Sequence, residues 1–333
     1  MAEKLLLKGA KQAVEKCMKI RKGEKVVIIT DRKTQKVGDA LEDASLKITK
    51  NVKKFILEDF GKRPLKKIPD EILKAVSESD VSFFCAQQCS DGKTNELVTL
   101  RRVVQKIVTD KGGRHAGMPG VTVKMMEQGM NADYGKIKKI CRQVYDLAKK
   151  AKKITVENEK GTSLKAEFTK KRLWVICDGD IRAGHWSNLP DGEVFTAPLK
   201  ISGTAVVDLL GDVFVKEGTL KHSVTFKIKN SRVTEVRHPD KKLVQKLWKY
   251  LKQDKNSDRV GEFAIGTNIF LKKFVGSMLQ DEKFPGVHIA FGYPYPSMTK
   301  ARWTSKAHMD VVMTKTTITI DGRKIMDKGK FVF

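Results

Sequence analysis

YGKIKKICRQVYDLAKKAKKITVENEKGTSLKAEFT, residues 134–169, changes its hydrophobic period part-way along. Up to about Lys153 the apolar residues recur at helical spacing and predict an amphipathic helix. From Lys153 onward they alternate with polar residues, the period of a half-buried strand. The two sides of this switch differ throughout. Upstream, 4–20 reads as a helix and GEKVVIITD (23–31) as a β-branched strand. KVGDALEDASLKI is then a helix, KKFILED a strand, DEILKAVSES a helix, SDVSFFCA a strand and LVTLRRVVQKIV a helix. Strands alternating with helices predict a parallel α/β layer. Downstream, RLWVICDGD, GTAVVDLLGDVF, HSVTFKIKNSRVTEVRH and DVVMTKTTITIDGRKIM alternate at period two between Gly and Asn/Asp turns. The expected fold class is therefore α/β, an N-terminal parallel α/β domain over 1–135 followed by a β-rich α+β domain over 136–333.

The first domain invites a dinucleotide site, and the residues exclude it. RKTQKV follows the first strand without any glycine, so the G-x-G-x-x-G turn is missing. SDGKT (90–94) resembles the end of a phosphate-binding loop, but the first glycine that loop needs falls at Gln87. The glycine cluster KGGRHAGMPG (111–120) reads as a turn-rich connection between two helical segments.

The chain has 333 residues, 40% hydrophobic and 32% charged, enough for two cored domains. Lysines at 4, 8, 11 and 16 break any signal-peptide core, and no run approaches the ~20 apolar residues of a membrane span. A cytoplasmic protein with no membrane partner is expected. The five cysteines are too scattered for a disulfide framework. Cys85 and Cys89 lack the second pair a zinc site would need, and buried free thiols are expected there. The net charge of +27 admits a nucleic-acid partner. Because the basic residues lie on outward helix positions, as in KKLVQKLWKYLKQDK, and no RNA- or DNA-binding motif is present, a solvated basic surface is the favoured reading.

Chemistry concentrates in the second half. NLPDGEVFTAP (188–198) holds an isolated acid, Glu193, beside residues ready for burial, and RVGEFAIGTN holds another, Glu262. In SKAHMDVVMT, His308 and Asp310 are two apart on a strand and share a face; a metal corner and a simple hydrogen-bonded pair are equal readings of that spacing. His288, in GVHIAFGYPYP, taken alone reads as a satisfied core histidine. Together these are five candidate ligands. Burying the carboxylates without counter-charge costs several kcal/mol each. Three carboxylates and two histidines suit two divalent cations, with one carboxylate bridging.

NLPDGEVFTAP, GEFAIGTN, DEKFPGVHIAFG and AHMDVV, in that order, resemble the aminopeptidase T / aminopeptidase S family of dimetal exopeptidases, and RHAGMPG resembles a further family segment. The resemblance implies a metal-binding catalytic second domain with Glu193, Glu262, His288, His308 and Asp310 as ligands of two divalent ions (Zn, Co or Mn). It implies a metalloaminopeptidase, a hydrolase removing N-terminal residues through a metal-activated water. Glu262 would shuttle the proton, and Tyr295 would donate to the developing oxyanion. It further implies peptide substrates with a free N-terminus and a homodimer. Two departures stand out. The family's D-E-N-x-x-x-H run reads DEKFPGVH here, shifting the acid by one position, so Glu282 is left outside the expected site. The interval from His288 to His308 is also short.

The same superfamily includes 2,5-dihydroxypyridine dioxygenase, and His288, His308 and Asp310 would equally suit its two-histidine, one-carboxylate Fe(II) face. Retention of both Glu193 and Glu262 favours the two-ion hydrolase over that alternative. A basic RNA-binding module with a degenerate site is the third reading, supported by charge alone.

Overall fold

The computed structural model describes residues 2–333. Two compact units emerge, Met1–Gly135 with Gly179–Asp191, and Lys136–Asp178 with Gly192–Phe333. The return of 179–191 to the first unit is absent from a division made at a single point near 135.

The first unit carries a five-stranded parallel sheet in the order Val52–Ile56, Val26–Thr30, Val81–Phe84, Arg114–Gly117, Trp186–Asn188. Val26–Thr30 and Val81–Phe84 are buried along their whole length. That is the behaviour of parallel strands covered on both faces. Helices Asp70–Glu78 and Arg102–Asp110 contribute Ile72, Val76, Val104 and Val108 to a core with Val27, Ile29, Phe55 and Phe84.

One expectation fails here. Within KGGRHAGMPG, Arg114–Gly117 is a buried strand rather than part of a connection. It contains no β-branched residue, so its strand character comes from pairing with neighbours on both sides. Gly113 permits the approach: a Cβ there would lie 2.7 Å from Val108 and 2.9 Å from the Asp80 carbonyl.

The end of the first strand is occupied by a carboxylate. Asp31, fully buried, accepts from the Thr34 and Gln87 backbone N–H groups and from Arg63, 2.7 Å away. Arg63 also pairs with buried Glu96. A fixed carboxylate fills the corner where such folds present bare N–H groups to an anion.

The second unit is built on a thirteen-stranded sheet. Its middle runs Ser163–Glu167, Lys200–Leu210, His308–Thr314, Gly286–Gly292, Val260–Gly266, Glu193–Thr196, each pair antiparallel. Thr219–Lys229 and Arg232–Arg237 form a hairpin whose turn residues, Asn230 and Ser231, have φ of 50° and 65°. Those angles match a two-residue turn twisted like its strands. The unit is the β-rich half that the period-two pattern predicts. Among the described residues no helix is long and apolar enough to cross a membrane.

Candidate metal centre

Strand register brings the five expected side chains together. Glu193 opposes Gly266, His288 opposes Ala264, and Glu262 opposes Ala290, which in turn opposes Asp310; Gly292 opposes His308. Side chains alternate along a strand and directly opposed residues share a face. Glu193, Glu262, His288, His308 and Asp310 therefore all project from one face of four neighbouring strands. Between them on that face stand Ala264, Gly266, Ala290 and Gly292, small residues that leave room for charged groups.

The donor atoms fall into groups. Glu193, Glu262 and His288 form one, Glu262, His308 and Asp310 a second, and Glu282, His288 and Asp310 a third; within each group the atoms lie within 4.8 Å of one another. Glu262 is shared by the first two. Its Oε1 is 3.5 Å from His288 Nε2 and its Oε2 is 3.7 Å from His308 Nε2. His308 Nε2 lies 3.5 Å from Asp310 Oδ2. His288 Nε2 lies 3.3 Å from Glu193 Oε2.

Two residues outside the expected set join them. Glu282, left aside in the sequence reading because of its shifted position, reaches the third group. Lys283 is 1% exposed, and its Nζ is 2.6 Å from Glu193 Oε1 and 2.7 Å from Glu282 Oε1. Its backbone is held in place: the Asn268 N–H donates to the Lys283 carbonyl at 3.0 Å. Gly266 lets this segment lie against the sheet, since a Cβ there would come within 1.9 Å of the Phe284 carbonyl oxygen. The displaced acid in DEKFPGVH was a visible signal for Glu282; nothing in the sequence distinguished Lys283 from the other lysines.

The titration of the metal-free cluster reflects its crowding. Burial by itself would raise the Glu193 carboxyl, but the Lys283 ammonium and then His288 bring it down to about 2. Burial pushes Glu282 up to about 7, Asp310 and Glu193 adding to it against the pull of Lys283. Glu262 is raised, chiefly by burial. His288 is raised well above its ordinary value because Glu193 and Glu262 outweigh its burial, and His308 is raised by Asp310 and Glu262 in the same way. The acids hold protons on the imidazoles where a cation would otherwise sit.

The donor set of Glu262, His308 and Asp310 fits a divalent ion. Glu193 Oε2 and His288 Nδ1 are buried without a hydrogen-bond partner, although His288 Nε2 approaches the former. His308 Nδ1 faces the Tyr293 carbonyl at 3.0 Å, which fixes the proton there and leaves Nε2 as a donor toward the cluster. Imidazole and carboxylate together suit Zn, Mn, Co or Fe.

Tyr295 stands beside the cluster, its hydroxyl 3.5 Å from His308 Nε2. Its ring packs edge-on against Phe195 at 5.7 Å and against the His308 imidazole at 5.0 Å. The backbone there is left-handed, φ 50° and ψ 64°. That conformation costs energy for a bulky residue and persists where the surroundings impose it. Burial and then Glu262 raise the phenol well above its ordinary value, so it stays protonated.

The profile of the thermophilic metalloprotease family (M29) matches residues 129–333, which carry every one of these side chains. The chain belongs to that family. Among solved structures, this M29 chain is similar to wild-type AmpT from Thermus thermophilus, with a TM-score of 0.72 and 16% identity over 100% of both chains. It is also similar to 2,5-dihydroxypyridine dioxygenase from Pseudomonas putida KT2440, with a TM-score of 0.71 and 15% identity over 98% of this chain and 96% of that one. At these identities the likeness shows the fold. No curated protein sequence matches the chain. Family membership makes the protein a metallopeptidase, a hydrolase that uses a divalent cation.

Proposed function

We propose that this M29 protein is a metal-dependent aminopeptidase acting on peptides with a free N-terminus. The observation that carries the reading is the convergence of Glu193, Glu262, His288, His308 and Asp310 on one sheet face, with Glu262 between the two histidines. A divalent ion such as Zn, Co or Mn held there supplies Lewis acidity to a peptide carbonyl and acidifies water. Glu262, Asp310 and His308 are its proposed ligands, and the count of ions is taken up below.

The remaining steps belong to the chain's own groups. Glu262, the carboxylate that lies between His288 and His308, accepts a proton from the nucleophile and returns it to the leaving amine. The protonated Tyr295 phenol donates a hydrogen bond toward the oxyanion as it develops. The surplus of carboxylates over cations gives the pocket a negative field, which suits the α-ammonium of an unblocked peptide.

A panel of free-amine dipeptides and their N-acetylated counterparts tests this. Hydrolysis confined to the free-amine set, lost on chelation and in Glu262→Gln, is expected. Equal turnover of blocked peptides, or full activity of Glu262→Gln, would refute it. The expected homodimer is part of the same proposal and is read by sedimentation.

One observation favours a second reading, a one-iron ring-cleaving dioxygenase. Lys283 neutralises Glu193, which weakens the argument that two retained glutamates require two ions. Oxygen uptake by Fe(II)-loaded protein with a dihydroxypyridine, and no peptide hydrolysis, would select it.

A further inference from the structure

We propose that Lys283 is a built-in cation that takes the place of a second metal ion, so that the centre holds one divalent ion and one fixed ammonium. This rests on the metal-centre reading above and narrows the two-ion expectation drawn from the donor count.

The geometry differs between the two donor groups that share Glu262. In the group of Glu193, Glu262 and His288, Glu193 already has a partner: Lys283 Nζ lies 2.6 Å from its Oε1 and bridges to Glu282 Oε1 at 2.7 Å. These are the distances of charge-assisted hydrogen bonds. The ammonium does not visit from solvent, because Lys283 is 1% exposed and its carbonyl is tied to Asn268. A second cation on Glu193 would share one carboxylate with this ammonium in a buried site, where like charges are poorly screened. In the group of Glu262, His308 and Asp310 no lysine or arginine pairs with the three donors among the described residues.

The imidazoles point the same way. A metal-bound histidine usually gives its second N–H to a carbonyl or carboxylate, which orients the ring. His308 has that support, with Nδ1 at 3.0 Å from the Tyr293 carbonyl. His288 lacks it, its Nδ1 being buried without a partner.

The test counts ions. Metal-free protein is loaded with Co(II) by equilibrium dialysis and the bound metal measured per chain, and Mn(II)-loaded samples are read by electron paramagnetic resonance. The wild type is expected to hold one equivalent with the six-line signal of an isolated Mn(II). Lys283→Met, which frees Glu193 and Glu282, is expected to rise to two equivalents with a spin-coupled signal, while Lys283→Arg stays at one. Two equivalents in the wild type, or one in a folded Lys283→Met, would overturn the proposal. If Lys283→Met does not fold, the wild-type count and its spectrum decide alone. No bound metal in the wild type would instead remove the metal-centre reading itself.

Discussion

Glu193→Gln in metal-free protein separates the charge contacts of Glu193 with Lys283 and His288 from metal chemistry. The substitution keeps the shape of the side chain and removes its charge, at a position 6% exposed with an ammonium 2.6 Å away. The carboxyl lies at about 2 in the fold against an ordinary 4.5. That gap, at 1.36 kcal/mol for each pKa unit, corresponds to about 3 kcal/mol of stability. Because the folded value is depressed, the contribution is complete above about pH 4.5 and fades as the pH falls toward 2. Urea unfolding of wild type and variant, each stripped of metal, is the assay. The wild type should exceed the variant by about 3 kcal/mol at pH 7 and by roughly half that at pH 3. A gap that is the same at both pH values would refute the reasoning, because a loss of packing or shape does not titrate.

Tyr295→Phe should lower kcat by about 10²–10³-fold with the bound metal unchanged, measured on an unblocked dipeptide, if the phenol serves the oxyanion. His308→Ala should abolish retention of Co(II) in dialysis, since it removes a donor whose orientation the Tyr293 carbonyl fixes. Arg63→Met should destabilise the first unit by about 3–5 kcal/mol in thermal unfolding, because it leaves Asp31 and Glu96 buried without their cation. That variant should regain stability on acidification as the stranded carboxyls protonate. The wild type should lose stability instead, because its Asp31 is held below its ordinary range, the hydrogen bonds from Arg63, Gln87 and Thr34 together outweighing burial.

Local spacing carried much of the site. His308 and Asp310 share a face because they are two apart on a strand, and no tertiary knowledge is needed for that. The order of four motifs identified Glu193, Glu262 and His288 as their companions. The register that aligns Glu262 with Asp310 through Ala290 was not legible, because pairing of strands distant in sequence depends on the whole sheet. Arg114–Gly117 was misread for a related reason. Its residues have little intrinsic strand preference, and neighbours on both sides impose the conformation.

From the residues in order came the change of period near Lys153, the two kinds of sheet and a cluster of acids and histidines suited to a divalent cation. Those follow from patterns a few residues long, where side-chain direction is set by local backbone geometry. The fold alone decided that Lys283, one of 66 basic residues in the chain, leaves water and settles between Glu193 and Glu282. Burial belongs to the packed chain and not to the residue type, so composition counts this lysine with the solvated surface while the tertiary structure places it in the centre.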